Sequence, residues 1–249
     1  MPPTLPTPRA VYLLAGRMIP WFWALAAVFG IAGLAVGFFI APVDARQGEG
    51  YRIIFLHVPV SWMSMFLYLA MAFWAGLGLA FGFRLSGTMA RALAPTGALF
   101  TFLSLWTGAL WGKPMWGTWW VWGDARLVSE LILLFLYAGF IALQSAIDDP
   151  RRADRAGAIL ALVGVVNIPI IYFSVQWWNT LHQGPSVRLG GSSMAASMFW
   201  GILLCALACS MYAAAVSLMR ARRIMLEREK DASWVREELG LPNERRNGT

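Results

Sequence analysis

Two histidines and a cluster of tryptophans are the residues of this 249-residue chain best suited to bind a ligand. A neutral imidazole binds a metal ion through one ring nitrogen, so His57 and His182 could supply two ligands to one metal. His57 lies two residues before Pro59, which is tolerated in the first turn of a helix and so places His57 near a helix start. A histidine at a membrane boundary is also often a packing or hydrogen-bonding residue, and the sequence leaves that alternative open.

Five of the fourteen tryptophans fall within twelve residues, from Trp111 to Trp122. Tryptophan is enriched at membrane–water boundaries, so part of this cluster is typical of an aromatic belt. Its density also favours a second interpretation, in which the indole rings form a flat apolar surface for a large planar ligand. Lys113 and Arg126 flank the cluster and are candidate partners for carboxylates on such a ligand.

The composition predicts the elements that position these residues. With 59% hydrophobic and 13% charged residues, the chain departs from soluble domains, which have roughly 45–50% and 25%. Six apolar stretches are long enough to cross a hydrocarbon core about 30 Å thick as helices. We therefore predict an all-α, polytopic integral membrane protein with six transmembrane helices, at approximately 21–41, 53–83, 92–111, 127–147, 157–176 and 194–219.

The arginines and lysines predict the orientation of these spans. Fifteen of the twenty lie in the termini and in the two loops on the same side, and five lie on the opposite side. Both termini are therefore predicted to be cytoplasmic, with the histidines and the tryptophan cluster on the external face. The predicted domains are an N-terminal segment at 1–20, a membrane domain at 21–219 with an external Trp-rich loop at 112–126, and a charged tail at 220–249.

The small number of metal-binding side chains limits the metal chemistry. Zinc usually takes three or four protein ligands, and Cys205 and Cys209 lie inside the sixth span on its inner half. Haem needs one or two axial ligands, is planar and hydrophobic, and carries two propionates. The two histidines, the tryptophan surface and the flanking cations therefore fit haem better than zinc. The chain has no Cys-x-x-Cys-His sequence, so it is not itself a c-type cytochrome.

Residues 51–59, 111–127 and 167–184 resemble cytochrome c maturation protein C, the haem exporter protein C family of the bacterial system I pathway. This family belongs to the haem-handling membrane proteins with a Trp-rich motif. The resemblance implies that His57 and His182 are axial ligands of haem iron. It also implies a haem-binding loop that contains Trp116, Gly117, Trp119, Trp120, Trp122 and Asp124. Gly123 separates Trp122 from Asp124, where the family motif has no residue.

The same resemblance implies a function and partners. The protein would hold haem b, transiently and without a covalent bond, at the periplasmic face of the inner membrane and deliver it to a periplasmic haem chaperone. Its partners would be a small membrane subunit and the ABC-type ATPase and permease subunits of the pathway. The chain itself has no phosphate-binding loop for ATP, and neither enzyme activity nor a nucleic-acid partner is expected.

Three questions stay open from the sequence. A b-type membrane electron carrier would also bind haem through histidines, although such carriers usually bury the pair inside the bundle. A small-solute transporter would need several polar residues or broken helices at mid-depth. Glu130, an acid within the fourth predicted span, is either functional or bonded to a neighbouring helix.

Overall fold

The computed structural model describes residues 7–182, 184, 187–188, 191–192 and 194–241. The first six and the last eight residues, which belong to the predicted segments 1–20 and 220–249, lie outside the described residues. The helices are α1 (Pro8–Ala35), α2 (Ile54–Phe81), α3 (Arg84–Trp116), α4 (Ala125–Ala146), α5 (Pro150–Gly164), α6 (Asn167–Trp177), α7 (Ala196–Arg228) and α8 (Ser233–Glu238). The short strands β1 (Val187–Arg188) and β2 (Gly191–Ser192) pair antiparallel between α6 and α7.

Within the described residues, six helical stretches are long and apolar enough to cross a membrane, which confirms the predicted fold class. A π-helical turn, Val36–Ile40, extends α1, and a 3-10 turn, Glu49–Ile53, precedes α2. Helices α5 and α6 together form the fifth stretch. The two ends of the described chain meet, because Arg9 pairs with Glu237 at 3.0 Å. We call this end of the bundle the terminal end and the opposite one the Trp-rich end.

Short connections at the terminal end force neighbouring helices to run antiparallel. Gly82 ends α2 with a φ of +66°, a left-handed conformation that favours glycine, and α3 begins two residues later. Pro150 is the first residue of α5, where its missing N–H costs nothing. Asp149 caps the same helix by accepting a hydrogen bond from the backbone N–H of Arg152 at 2.8 Å.

Two tyrosines stand at the centre of the bundle. Tyr68 on α2 and Tyr137 on α4 are fully buried, and their rings meet edge to face with centroids 5.1 Å apart. A Cβ added to Gly97 of α3 would lie 2.1 Å from Tyr137, and one added to Gly164 of α5 would lie 2.0 Å from Tyr68. These glycines therefore let α3 and α5 approach the tyrosine rings, as small residues do at helix contacts in membranes.

Three features differ from the expectation. Helix α1 begins at Pro8 rather than near residue 21, because Thr7 caps it and the amphipathic stretch before residue 21, which carries Arg9 and Arg17 among apolar residues, is helical. Helix α3 continues to Trp116, so the first part of the Trp-rich segment is helical. Pro59 lies in the second turn of α2, and its predicted place in the first turn is wrong because α2 already begins at Ile54.

The fifth span is broken between α5 and α6. Pro169 has no N–H to continue the ladder from α5, and it lies in the first turn of α6. Asn167, the first residue of α6, donates through Nδ2 to the carbonyl of Ser129 at 2.9 Å. The side-chain amide of Asn167 therefore connects the start of α6 to α4 at the position where the fifth span is broken.

Candidate functional site

Both histidines lie at the Trp-rich end of the bundle. His57 is in the first turn of α2, His182 is in the loop after α6, and the two imidazoles are within electrostatic range of each other. Helix α3 supplies an indole to each of them. The ring centroids of His57 and Trp111 are 5.7 Å apart, and those of His182 and Trp116 are 5.4 Å apart. The fold thus brings together two histidines that are far apart in the sequence.

The His57 ring is held against α3 by its Nδ1 atom. Nδ1 lies 3.0 Å from Oγ1 of Thr107, a buried residue of α3. Gly108 makes this approach possible, because a Cβ at that position would lie 3.0 Å from Cε1 of the imidazole. Since Nδ1 is the nitrogen engaged with the protein, Nε2 is the candidate ligand atom.

Asp124 connects the loop of His182 to helix α4. Its Oδ1 caps α4 by accepting hydrogen bonds from the backbone N–H groups of Arg126 at 3.0 Å and Leu127 at 3.1 Å. Its Oδ2 accepts a third bond from the N–H of Leu181 at 2.8 Å. One buried carboxylate therefore fixes both the start of α4 and the residue that precedes His182.

The same carboxylate faces the imidazole of His182. Its Oδ1 lies 3.9 Å from Nδ1 of His182, which is an electrostatic contact and too long for a hydrogen bond. Nδ1 is buried and has no hydrogen-bond partner within the described part of the chain. Burial alone would raise the pKa of Asp124, but His182 and the N–H groups of Leu181 and Leu127 lower it from 3.8 to about 2. Asp124 is therefore ionised at neutral pH.

Gly123, which separates Trp122 from Asp124 and which the resemblance implies to be an extra residue, lies in a turn. The N–H of Asp124 donates to the carbonyl of Val121 at 3.1 Å. A Cβ added to Gly123 would meet no atom within 4 Å, so the turn is open to solvent there. The turn accommodates the extra residue, and Asp124 still reaches the start of α4.

The tryptophans of the loop form a partly exposed surface. Gly117, with a φ of +76°, ends α3 and turns the chain towards this surface. Trp116 is exposed at the end of α3, and Trp119 and Trp122 are 54% and 75% exposed. Trp120 is turned inwards, and its Nε1 is buried without a partner among the residues that the structure describes. Large indole faces therefore remain accessible beside the imidazole of His182.

The two candidate cations occupy different surroundings. Lys113 is exposed on α3, donates through Nζ to the carbonyl of Gly117 at 3.0 Å, and lies 6.0 Å from the ring centroid of Trp119. Arg126 is partly buried in the first turn of α4, and its Nη1 donates to the carbonyl of Ile171 at 3.3 Å. Lys113 thus lies on the tryptophan surface, whereas Arg126 is turned towards α6.

Glu130 belongs to a buried polar group below the site. Ser64 donates through Oγ to Oε1 of Glu130 at 2.8 Å, and Tyr137 donates to the carbonyl of Ser64 at the same distance. Ser61 and Ser104 join α2 and α3 nearby through a 2.6 Å hydrogen bond between their Oγ atoms. The sequence left open whether Glu130 is functional or bonded to a neighbouring helix. The structure contains such a bond, to Ser64 of α2.

Two residues beside the site carry no signal in the Trp-rich motif. Thr107 binds His57, and Gln47 accepts a hydrogen bond through Oε1 from Nε1 of Trp111 at 2.9 Å. Thr107 and Trp111 are four residues apart on α3, a spacing that places them on one face of a helix. That spacing could have indicated Thr107, whereas nothing in the sequence singles out Gln47.

The donor set favours a metal complex over a bare metal ion. Over residues 7–182, 184, 187–188, 191–192 and 194–241, no group of three or more His, Cys, Asp or Glu side chains could hold a metal ion. The site offers two imidazoles, each with Nδ1 nearest a protein oxygen, and exposed indole rings close by. This set suits a flat metal complex that brings its own equatorial ligands and needs only one or two from the protein. The residues present therefore fit haem.

A family model described as Heme exporter protein C matches residues 3–236. The chain belongs to the heme exporter protein C family. It is 49% identical over 236 residues to the protein of that name from Escherichia coli (strain K12), covering 94% of both chains. The Heme exporter protein C of Bradyrhizobium diazoefficiens is 47% identical over 229 residues, with 90% of this chain and 85% of the relative covered. That of Paracoccus denitrificans is 39% identical over 225 residues, with 90% and 92% covered.

Membership of the heme exporter protein C family confirms several predictions. The protein is a multi-pass membrane component that handles haem in cytochrome c biogenesis, and it is not an enzyme. It acts together with other membrane proteins of that pathway.

Proposed function

We propose that the protein holds haem b at the periplasmic face of the inner membrane, without a covalent bond, and passes it to a periplasmic haem chaperone. His57 and His182 are the axial ligands. The observation that carries this proposal is that the fold brings both histidines to the Trp-rich end of the bundle. Nδ1 of His57 lies 3.0 Å from Oγ1 of Thr107 and Nδ1 of His182 lies 3.9 Å from Oδ1 of Asp124, so Nε2 is the candidate ligand atom of each ring. Ligation by two neutral imidazoles suits temporary holding, since exchange of one of them releases the cargo.

The Trp-rich loop forms the surface on which the haem plane lies. Trp116, Trp119 and Trp122 offer exposed indole faces, and Trp116 lies next to His182. Flat apolar rings of this kind stack with a porphyrin at the water boundary. Lys113 and Arg126 are the candidate partners of the propionates. Lys113 is the better placed of the two, because its ammonium group is exposed over Trp119.

The membrane orientation follows from the basic residues. Both termini are cytoplasmic, and the Trp-rich end is periplasmic, because fifteen of the twenty Lys and Arg residues belong to the terminal segments and to the sequence loops on the same side as them. The proposed partners are the periplasmic haem chaperone, a small membrane subunit, and the ABC-type ATPase and permease subunits of the pathway. ATP hydrolysis belongs to those partners, since this chain has no phosphate-binding loop.

The absorption spectrum of the purified protein tests the ligand assignment. The wild-type protein should bind haem and show the spectrum of iron with two axial imidazoles. His57→Ala and His182→Ala should each change the position or intensity of the haem bands, because each variant removes one axial ligand. Unchanged spectra in both variants would remove the two histidines as ligands.

A pair of double variants tests the tryptophan surface. Trp119→Ala with Trp122→Ala should reduce haem retention and transfer to the chaperone, because it removes stacking area at the site. The matched control is Trp21→Ala with Trp200→Ala, which removes two exposed indoles on α1 and α7. Equal retention in both double variants would mean that the loop is only an aromatic belt.

A further inference from the structure

Thr107 is the residue of α3 whose hydroxyl faces His57. Its Oγ1 lies 2.6 Å from the carbonyl oxygen of Leu103 and 3.3 Å from that of Ser104, both in the preceding turn. A hydroxyl carries one proton and a carbonyl oxygen only accepts, so this proton is directed back into α3. The lone pairs of Oγ1 are then left for another donor.

That donor is the imidazole of His57, whose Nδ1 lies 3.0 Å from Oγ1 of Thr107. Because Thr107 already donates its proton to Leu103, this bond runs from Nδ1–H to the hydroxyl oxygen. A neutral imidazole has a single N–H, so the lone pair is on Nε2. This is the tautomer that binds a metal through Nε2.

The surroundings of Thr107 protect this bond. Thr107 is 6% exposed, so water has little access to its hydroxyl. The space left by Gly108 lets the imidazole lie close to α3, and Trp111 meets the ring edge to face from the next turn. Displacing Nδ1 from Thr107 would therefore cost this hydrogen bond at a site with little access to water.

We propose that Thr107 is a positioning residue, whose hydroxyl fixes the ring and the tautomer of His57 so that Nε2 faces haem iron. This inference rests on the proposed function, because it requires His57 to be a ligand. The acceptor that faces the second histidine, His182, is the carboxylate of Asp124. The two imidazoles therefore differ in their surroundings: Nδ1 of His57 is hydrogen-bonded to a neutral hydroxyl, whereas Nδ1 of His182 faces an anion at 3.9 Å without a hydrogen bond.

Three variants of the full-length protein separate this role from packing. Thr107→Val removes the hydroxyl with little change in shape, and Thr107→Ser keeps it. The matched control is Thr101→Val. Thr101 is buried in the same helix and donates to the carbonyl of Gly97 at 2.8 Å, so both valine variants lose a bond to a helix carbonyl and only one loses a bond to a histidine.

The measurement is a titration of each purified variant with haem, followed by absorption spectroscopy. Loss of a hydrogen bond to a metal-binding histidine typically lowers metal affinity by about 10- to 100-fold, and we expect that loss in Thr107→Val. Its spectrum should also shift towards that of His57→Ala. Thr107→Ser and Thr101→Val should bind haem like the wild-type protein, and adding Thr107→Val to His57→Ala should cause no further loss.

Three other outcomes would contradict the role of Thr107 or the ligand assignment of His57. If Thr107→Val keeps the affinity and spectrum of Thr101→Val while His57→Ala changes them, His57 is a ligand and the role of Thr107 is refuted. An equal loss in Thr107→Ser and Thr107→Val also refutes it, since the serine retains the hydroxyl. If His57→Ala leaves the spectrum unchanged, the ligand assignment itself is wrong and the role of Thr107 fails with it.

Discussion

The sharpest prediction concerns Asp124, whose carboxylate performs two tasks with two oxygens. Oδ1 caps α4, and Oδ2 binds the N–H of Leu181. Asp124→Asn keeps the size of the side chain but leaves one acceptor oxygen. Asparagine caps helices as well as aspartate does, so we expect that oxygen to stay at α4 and the amide NH2 group to face the N–H of Leu181. The variant should therefore release the loop of His182 while α4 stays capped.

The magnitude follows from the lost bond. A hydrogen bond to a charged group contributes about 1.5–3 kcal/mol, and this one needs little correction for solvent because the Asp124 side chain is 1% exposed. At 1.4 kcal/mol per factor of ten, the population with a detached loop should rise roughly 10- to 150-fold. The loss of a negative charge beside His182 should add to this effect.

Hydrogen exchange measures this population directly. The amide of Leu181 should exchange roughly 10- to 150-fold faster in Asp124→Asn than in the wild-type protein. Asp149→Asn is the matched control, because Asp149 only caps α5 and asparagine can perform that single task. If Leu181 exchanges equally fast in both variants, the carboxylate of Asp124 does not hold the loop.

Three further predictions concern packing, pH and topology. Gly97→Ala should lower the free energy of unfolding in detergent by about 1–3 kcal/mol, because its methyl group overlaps a tyrosine ring, whereas Gly123→Ala should change it little. Because the pKa of Asp124 is lowered from 3.8 to about 2, its hold on the loop should be complete above pH 3.8 and decline as the pH falls towards 2. Amide protection relative to the intrinsic exchange rate should follow that change, and protection independent of pH would contradict it. Single cysteines at Lys113 and Arg151 should be labelled from opposite sides of the membrane, and labelling from one side would refute the orientation.

Much of the fold could be predicted from the sequence, because a bilayer-spanning helix requires a long apolar stretch and the six stretches can be read directly from the sequence. The ends of the helices could be predicted less well from the sequence. Apolar stretches were counted from the lipid-crossing length, but α1 and α3 continue beyond the predicted spans to Pro8 and Trp116, through turns that mix apolar residues with Arg9, Arg17 and Lys113. The position of Pro59 was wrong for a different reason. The predicted start of the span, near residue 53, agrees with the start of α2 at Ile54, and a helix that starts there already has Pro59 in its second turn.

The site could be predicted only in part. The residue types of His57, His182 and the tryptophans indicate haem. The resemblance to a family implies which of them would be ligands and which would form the haem-binding loop. The contacts of Thr107 and Asp124 with the imidazoles are not visible in this way. The sequence indicates Asp124 only as a member of the loop, and Thr107 only as a residue that shares a helix face with Trp111. Their significance depends on distances between α3 and α2, and between α4 and the loop after α6, which only the tertiary structure contains.

The two histidines lie on elements that are held in place to different degrees. His57 belongs to a continuous helix packed along its length, so moving it requires the displacement of α2. His182 belongs to a short irregular segment fastened to α4 through the side chain of Asp124. Segments with few buried contacts open locally at a small fraction of the cost of global unfolding. We therefore expect the easier opening motion of the proposed site on the side of His182, whose position depends on the bond from Leu181 to one side chain, rather than on the side of His57, whose helix is packed along its length.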